Sequence, residues 1–409
     1  MKIVVVGAGL SGLTAAWELS KRGHELVVLE ARDRVGGRAW SHVLENGATV
    51  ERGGEYIFPG DHPIRHLAAE LRLPITSHGV RYARRTVTGR VISESELQRT
   101  TALVRETLRA MIADGLTAVS LEAAFAEALG PSYGHDPVYR RMTTSAAADP
   151  ERVSAAAVLL HDAVDDRHIE DGGRLVGGNQ RLATEIAGRL GARVRLEQPV
   201  AGVDQSADGM QVHLVDGTHL DADAAVISVP YPILGNMALG FDLPATEQRA
   251  LDHLFMGVAA KLAVPLTTVD GDVARQNADH TWWSWRSLST DGTTRIPALS
   301  NFAGGPRALD ALEVDRGPAG WVTALRELRP ELEVDGDALL TTWADDPWAR
   351  GAYTAPGLDW EPEDAEAFEH AIGRVAIAGE HTGMQQTLSG AVASGYRAAA
   401  ALTALAVRS

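Results

Sequence analysis

The strongest constraint on this chain lies in its first thirty residues. Lys2 and the β-branched run Ile3-Val4-Val5-Val6 read as a strand buried on both faces. Gly7-Ala8-Gly9-Leu10-Ser11-Gly12 follows directly, and Leu13, Ala16, Trp17 and Leu19 then recur at helical spacing until Gly23 closes the helix. A second strand, Leu26-Val27-Val28-Leu29, ends on Glu30. Each glycine meets a separate physical need. Gly7 permits the tight turn, Gly9 lets a pyrophosphate approach the backbone, and Gly12 lets helix and strand pack closely. The phosphates then sit on the positive end of the helix, beside Ser11. Glu30, eighteen residues past Gly12, is placed to accept from a ribose hydroxyl. G-x-G-x-x-G alone is a weak signal, but strand, glycines, helix, strand and acid in this order are a strong one. They predict a dinucleotide-binding, Rossmann-like α/β unit.

The next residues narrow the dinucleotide. Ala31-Arg32-Asp33-Arg34-Val35 leads to a second glycine pair, Gly36-Gly37, with Arg38 behind it. A guanidinium there can neutralise a pyrophosphate bidentately. Simple nicotinamide dehydrogenases do not usually carry this extension, and the stretch resembles FAD proteins with two dinucleotide-binding motifs.

Four further patches sharpen the resemblance to the flavin-containing amine oxidase family. They are Glu51-Arg52-Gly53-Gly54-Glu55-Tyr56-Ile57; Gly177-Gly178-Asn179-Gln180 with Val194 to Val200; Trp343 to Tyr353; and Val375 to Thr382 with Thr387-Leu388-Ser389-Gly390. The resemblance implies an FAD-binding domain of glutathione reductase/amine oxidase type, built from residues 1–79, 171–234 and 343–409. An inserted α+β substrate domain would comprise 80–170 and 235–342. Residues 80–170 carry a helical period marked by Leu97, Leu103, Leu108 and Met111.

The family's site, carried onto this sequence, places Gly53, Gly54, Glu55 and Tyr56 under the flavin ring and the Val200 backbone at the adenine. Trp343, Gly379 and Glu380 fall at the cofactor, Glu380 for a flavin-chain hydroxyl. Thr387 and Leu388 bring a helix end to the ring, where its dipole would stabilise reduced flavin. Lys261 is one cation in the apolar run Gly257 to Pro265, where burial without a partner would be expensive. The resemblance has a lysine here reaching through water to flavin N5, and this makes Lys261 and Tyr353 the expected catalytic residues. Tyr353 would be one wall of an aromatic cage for the amine. The other wall falls at Thr387, a departure that disfavours simple arylalkylamines. Gln180 and Trp283 are further expected substrate contacts, although alternating tryptophans in Trp282-Trp283-Ser284-Trp285 can equally pack a sheet. Ala352 stands where monoamine oxidases tether flavin through cysteine. With no cysteine anywhere, non-covalent FAD is expected.

The implied reaction is oxidation of an amine to an imine by hydride transfer to flavin N5, then hydrolysis, with O₂ reduced to hydrogen peroxide. Alternatives on the same scaffold are a carbon–carbon desaturase or dehydrogenase, an L-amino-acid oxidase, and a Rab GDP-dissociation-inhibitor-like protein without redox chemistry. The last leaves Glu30, Arg38 and Glu380 unexplained. An amino acid substrate needs an arginine for its carboxylate, for which Arg84, Arg85, Arg105 and Arg286 are candidates.

Composition closes other routes. Lys+Arg 38 against Asp+Glu 54 leaves a net charge of −16, poor for nucleic acid or an anionic membrane surface. The lack of cysteine excludes disulfides and thiolate chemistry. The apolar start is too short for a signal peptide or a membrane span, and a cytoplasmic location is expected. His62 and His66 lack a zinc protease's glutamate, and no metal site is expected. A homodimer is the oligomeric expectation.

Overall fold

The computed structural model describes residues 1–81, 84–87, 89–161, 171–206, 209–268, 274–289, 292–383 and 385–408. Its organising layer is a five-stranded parallel sheet. The order is Val375–Ile377, Ala224–Ile227, β1 (Lys2–Val6), β2 (Glu25–Leu29) and Val194–Arg195. Alternate residues enter opposite cores: Ile3, Val5, Val28 and Val226 one, Val4, Val6, Leu29 and Ile227 the other. Both faces are covered, which is why the strands read as unbroken apolar runs.

Helix α1 (Leu10–Lys21) lies on the first face, inserting Leu13, Ala16 and Leu19 beside Ile186 of the helix Arg181–Leu190 and Leu402 of the helix Leu388–Arg408. A Cβ on Gly12 would overlap the Gly7 carbonyl and the Ser228 hydroxyl, so only glycine allows this closeness of helix to strand. The second face carries a four-stranded sheet made of Val200–Gln205, Met210–Leu214, His219–Ala222 and Ala238–Gly240. The stretch after residue 234, expected in the substrate domain, therefore starts on the nucleotide side. Ala238–Gly240 pairs with Val200–Gln205, and Ala250 and Leu251 join the core of Val4 and Val6.

A seven-stranded sheet forms the other half, in the order Leu339–Thr342, Ala259–Pro265, Ala298–Gly304, Trp282–Trp285, Ala274–Gln276, Thr86–Val87, Arg90–Val91. Its register sets Lys261 opposite Phe302, and Phe302 opposite Trp283, in one row across three strands. Neighbours in a row share a face, while Leu262, Val264 and Trp282 point to the opposite core, where Trp282 meets Trp321 edge-on.

Three helices, Glu94–Ala113, Leu121–Leu129 and Pro137–Ala146, pack against one another through Leu97, Val104, Leu108, Phe125 and Met142. The Ser93 side chain caps the first, accepting from the Glu96 amide at 3.2 Å. Leu103 corrects the periodicity reading: it is 46% exposed, and Thr101 and Val104 take the inward positions between Leu97 and Leu108. A six-residue step from Leu97 is well off a whole number of 3.6-residue turns. Among the described residues, no helix is long and apolar enough to cross a membrane.

Candidate active site

A cavity of about 430 Å³ runs from the end of β1, past the end of β2, to the face of the seven-stranded sheet that carries Lys261. Of the residues expected at the cofactor, all but Gly12 line it, and Gly12 acts one layer behind. Gln180 is a correction. It does not reach the cavity; its amide donates to the Val35 carbonyl at 3.0 Å and accepts from the Ser41 amide at 3.3 Å. It braces the glycine turn at residues 36–37 from behind instead of meeting substrate.

At the nucleotide end Gly7 turns with φ +100, open to glycine but costly for other residues. The Glu30 carboxylate, 3% exposed, accepts from the Ala8 amide at 2.8 Å and the Arg32 amide at 3.0 Å. Arg32 reaches across to Asp346 at 2.5 Å. The loop before Val200 is tied to the same corner by the Gln198 amide, which donates to the Glu30 carbonyl at 2.8 Å.

In the middle, Arg38 donates to Glu380 at 2.9 Å and to the Ala352 carbonyl at 2.7 Å. The second Glu380 oxygen accepts from the Thr354 hydroxyl at 2.8 Å and the Thr354 amide at 3.2 Å. Burial works to raise the Glu380 carboxyl, but Arg38 and the other donors prevail and hold it below its ordinary value. The adjacent His381 is 3% exposed, and among the described residues neither ring nitrogen finds a hydrogen-bond partner. Burial keeps it neutral, pushing it down to about 4.

The far end is chemically different. Gly53 and Gly54 pass so close to their neighbours that a Cβ on the first would overlap the Arg38 carbonyl, and one on the second the Leu388 side chain. The Lys261 ammonium donates to the Gly53 carbonyl at 3.1 Å and forms a short ion pair with Glu55. The other Glu55 oxygen accepts from His78 Nε2 at 2.7 Å. Burial alone would raise the Glu55 carboxyl, yet the Lys261 charge and the His78 hydrogen bond outweigh it and bring the group to about 2. His78 is fully buried and pushed below its ordinary value, so it donates as a neutral imidazole.

Aromatic walls enclose this end. Trp283 and Trp285 stack with centroids 4.2 Å apart, and Arg85 lies 3.7 Å over the Trp283 ring. Tyr353 faces the cavity with its hydroxyl donating to the Ser145 carbonyl at 2.6 Å, which ties the site to the helix Pro137–Ala146. Thr387 caps the start of the helix Leu388–Arg408, its hydroxyl accepting from the Gly390 amide at 3.0 Å. In the tryptophan run, Trp283 and Trp285 line the cavity, and Trp282 packs the core.

Sequence reasoning missed His78, Phe302, Arg141 and Thr354 at this cavity's wall or directly behind it. Thr354 was open to discovery as the neighbour of Tyr353. His78 and Phe302 carried no signal, because each takes its place only through a strand pairing. None of Arg84, Arg85, Arg105 and Arg286 lines the cavity, whereas Arg141 does.

The residues fit a flavin dinucleotide: a glycine turn open to phosphate, an acid for ribose, an arginine in the middle, and a glycine pair beneath an aromatic chamber. Known proteins agree in outline. A family model described as flavin containing amine oxidoreductase matches residues 10–403. The chain is 28% identical to the human lysine-specific histone demethylase 2 over 98% of its own length, and spans about half (53%) of that relative. It is 24% identical to an L-amino acid dehydrogenase of Synechocystis, covering 98% of this chain and 94% of that one. Cyclohexylamine oxidase from Brevibacterium oxydans superposes with a TM-score of 0.82 at 21% identity, over 100% of this chain and 99% of that one, which establishes the shared fold.

Proposed function

Since the chain belongs to the flavin-containing amine oxidoreductase family, we propose that it is an FAD-dependent amine oxidase that binds its cofactor non-covalently. Bound there, a flavin would supply a hydride acceptor for the carbon beside the amine nitrogen and a route for the electrons to O₂. The observation that carries the reading is the joining of both halves in one cavity. The dinucleotide cradle at Glu30 and Arg38 opens without interruption onto the chamber of Lys261, Phe302, Trp283 and Tyr353.

The protein's own residues supply the rest. Glu30 and the amides after Gly7 hold the ribose and phosphates, with Arg38 and Glu380 at the middle of the dinucleotide and the Val200 backbone toward the adenine. Ala31, Arg32, Gly37 and Trp343 complete that wall. Tyr353, held by Ser145, and Thr387 orient the amine, and the aromatic chamber excludes water so that the neutral amine, with its lone pair available, is the bound form. Lys261 stands at the chamber wall to hold the water that hydrolyses the imine. Glu55 and Tyr56 flank the ring's place. No cysteine is available as a covalent tether, and alanine occupies position 352.

Arg141 favours one variant of this reading. It lies in the cavity wall, one helical turn before Ser145, and a guanidinium there suits an amine that also bears a carboxylate. The test is anaerobic bleaching of the purified yellow protein by simple amines, polyamines, amino acids and cyclic amines, followed by admission of air. Bleaching with peroxide formation on air is the expected result. A flavin reducible by dithionite but by no nitrogen compound would overturn the proposal in favour of carbon–carbon oxidation.

A further inference from the structure

Lys261 and Glu55 stand 206 positions apart in the chain, yet their side chains are bonded directly, at the chamber end of the cavity. Lys261 is 8% exposed, Glu55 7% and His78 0%. An ammonium in such a place must be paired or surrender its proton. The charged and titratable groups around it come from several elements. Glu51 and Arg52 adjoin it from the strand Thr49–Glu51 and the residue after it. Glu55 and Tyr56 follow the glycine pair, His78 lies on the strand Ile75–Arg81, and Arg174 lies on Asp171–Leu175 beside His78. Across the sheet it faces Phe302 and Thr341, which are neutral.

Of the two carboxylates, Glu51 points elsewhere: it accepts from the Asn179 amide and the Ser41 hydroxyl, each at 2.8 Å. Burial, and then the Glu55 charge, push its carboxyl up, so it is poorly suited to serve as a counter-charge. Glu55 is the one bonded to Lys261. His78 holds the remaining Glu55 oxygen, and the His78 ring is itself fixed against Tyr56 at 4.5 Å between centroids and beside the Ser287 hydroxyl at 3.2 Å. The carboxylate cannot swing away without abandoning a buried donor.

We infer that Glu55, clamped by His78, is the positioning residue that keeps Lys261 a pinned ammonium ion at the cavity wall. Glu55 supplies the counter-charge and His78 the geometry. Lys261 is then held at the chamber wall with its counter-charge beside it, and electron return to O₂ meets a fixed cation. That catalytic consequence rests on the flavin reading of the cavity, whereas the charge state itself does not.

Two measurements on the purified holoenzyme test it, with Glu55→Gln and His78→Asn beside the unaltered protein. One is the rate at which O₂ reoxidises reduced flavin, followed against pH. The other is acetylation of Lys261 by acetic anhydride, mapped by mass spectrometry, which reports neutral amine and needs no turnover. In the unaltered protein reoxidation should stay flat between about pH 6 and 9, and labelling should stay slow throughout. Glu55→Gln should label about tenfold faster or more, the change expected for each pH unit by which the ammonium form is weakened, and its reoxidation should fall as pH rises. His78→Asn keeps a donor and should fall between. Flat reoxidation in Glu55→Gln, with labelling no faster than in the unaltered protein, would overturn the inference, as would a reoxidation slope already present in the unaltered protein. Should Glu55→Gln fail to fold, Glu55→Gln/Lys261→Met removes both charges. Recovery of folded protein would support the pairing, and failure of that variant too would overturn it. A protein that oxidises no amine but shows the labelling difference would lose the proposed function and keep this inference.

Discussion

Two ion pairs divide the cavity between them, and they are built on different principles. Arg38 and Glu380, 2.9 Å apart, brace the middle of the dinucleotide site, and Thr354 gives Glu380 two further donors. The planar guanidinium offers its donors in a rigid fork, which fixes the Glu380 carboxylate in place. Lys261 and Glu55 sit at the chamber, with His78 bonded to the remaining Glu55 carboxylate oxygen. An amine can lose its proton, and an imidazole can gain one. The first pair is a strut. The second is a device whose state depends on its partners.

Removing Arg38 should break the contrast most sharply. Arg38→Met leaves Glu380 buried with Thr354 alone, and the cost should be about 3–5 kcal/mol in denaturant unfolding, together with loss of bound flavin. Wild-type stability and flavin content would dismiss the strut.

Acid should separate the two ends. His381, beside the strut, has its ring lowered from 6.5 to about 4, so the unfolded chain takes a proton there that the folded protein refuses. Stability then rises with pH over this interval, and about 3 kcal/mol should be lost as pH falls from 6.5 toward 4. The Glu55 contribution is complete above its unfolded value of 4.5 and is lost only as pH falls toward about 2. Glu51, raised by burial, acts in the opposite direction and is relieved by acid. In His381→Gln the upper limb of the pH–stability curve should disappear while the lower one stays. Persistence of the upper limb would assign it to other groups.

Lys261→Met should be milder for the fold, about 1–3 kcal/mol, because Glu55 keeps His78 and can itself take a proton. Flavin content should be unchanged, while reoxidation by O₂ slows by about 10²-fold. Loss of flavin instead would make Lys261 a second strut. Smallest of all, Leu103→Ser on the helix Glu94–Ala113 should stay within about 0.5 kcal/mol, since that side chain already faces solvent and lies outside the cavity wall. A larger loss would show that the outer face of that helix is covered.

The same contrast governs what could be read from sequence. The nucleotide end is local: strand, turn, helix, strand and Glu30 follow one another, so order alone carried it. Lys261 was legible as a lone cation in an apolar strand and Glu55 as the residue after a glycine pair. Their union was not, because it depends on a sheet placed against a distant loop. His78 had no signal of its own, and Phe302 meets Lys261 only through strand register. Gln180 was misread because its helix start was recognised correctly but its side chain turns behind the Gly36 turn. Leu103 fell to a count of leucines that did not keep helical phase.

The parallel sheet holds one more consequence. One edge strand is Val375–Ile377, and the helix that follows packs on α1 and starts against Gly54 at Leu388. The cradle opened by the first thirty residues is thus finished by some of the last. A ribosome adding about 5–20 residues per second would need tens of seconds between the two. Until then Ala224–Ile227 lacks its partner at the sheet edge, and α1 has the helix Arg181–Leu190 beside it but not the one that starts at Leu388. Cofactor loading should therefore be an event of the completed chain, and a nascent chain halted before residue 375 should need a chaperone's protection rather than flavin.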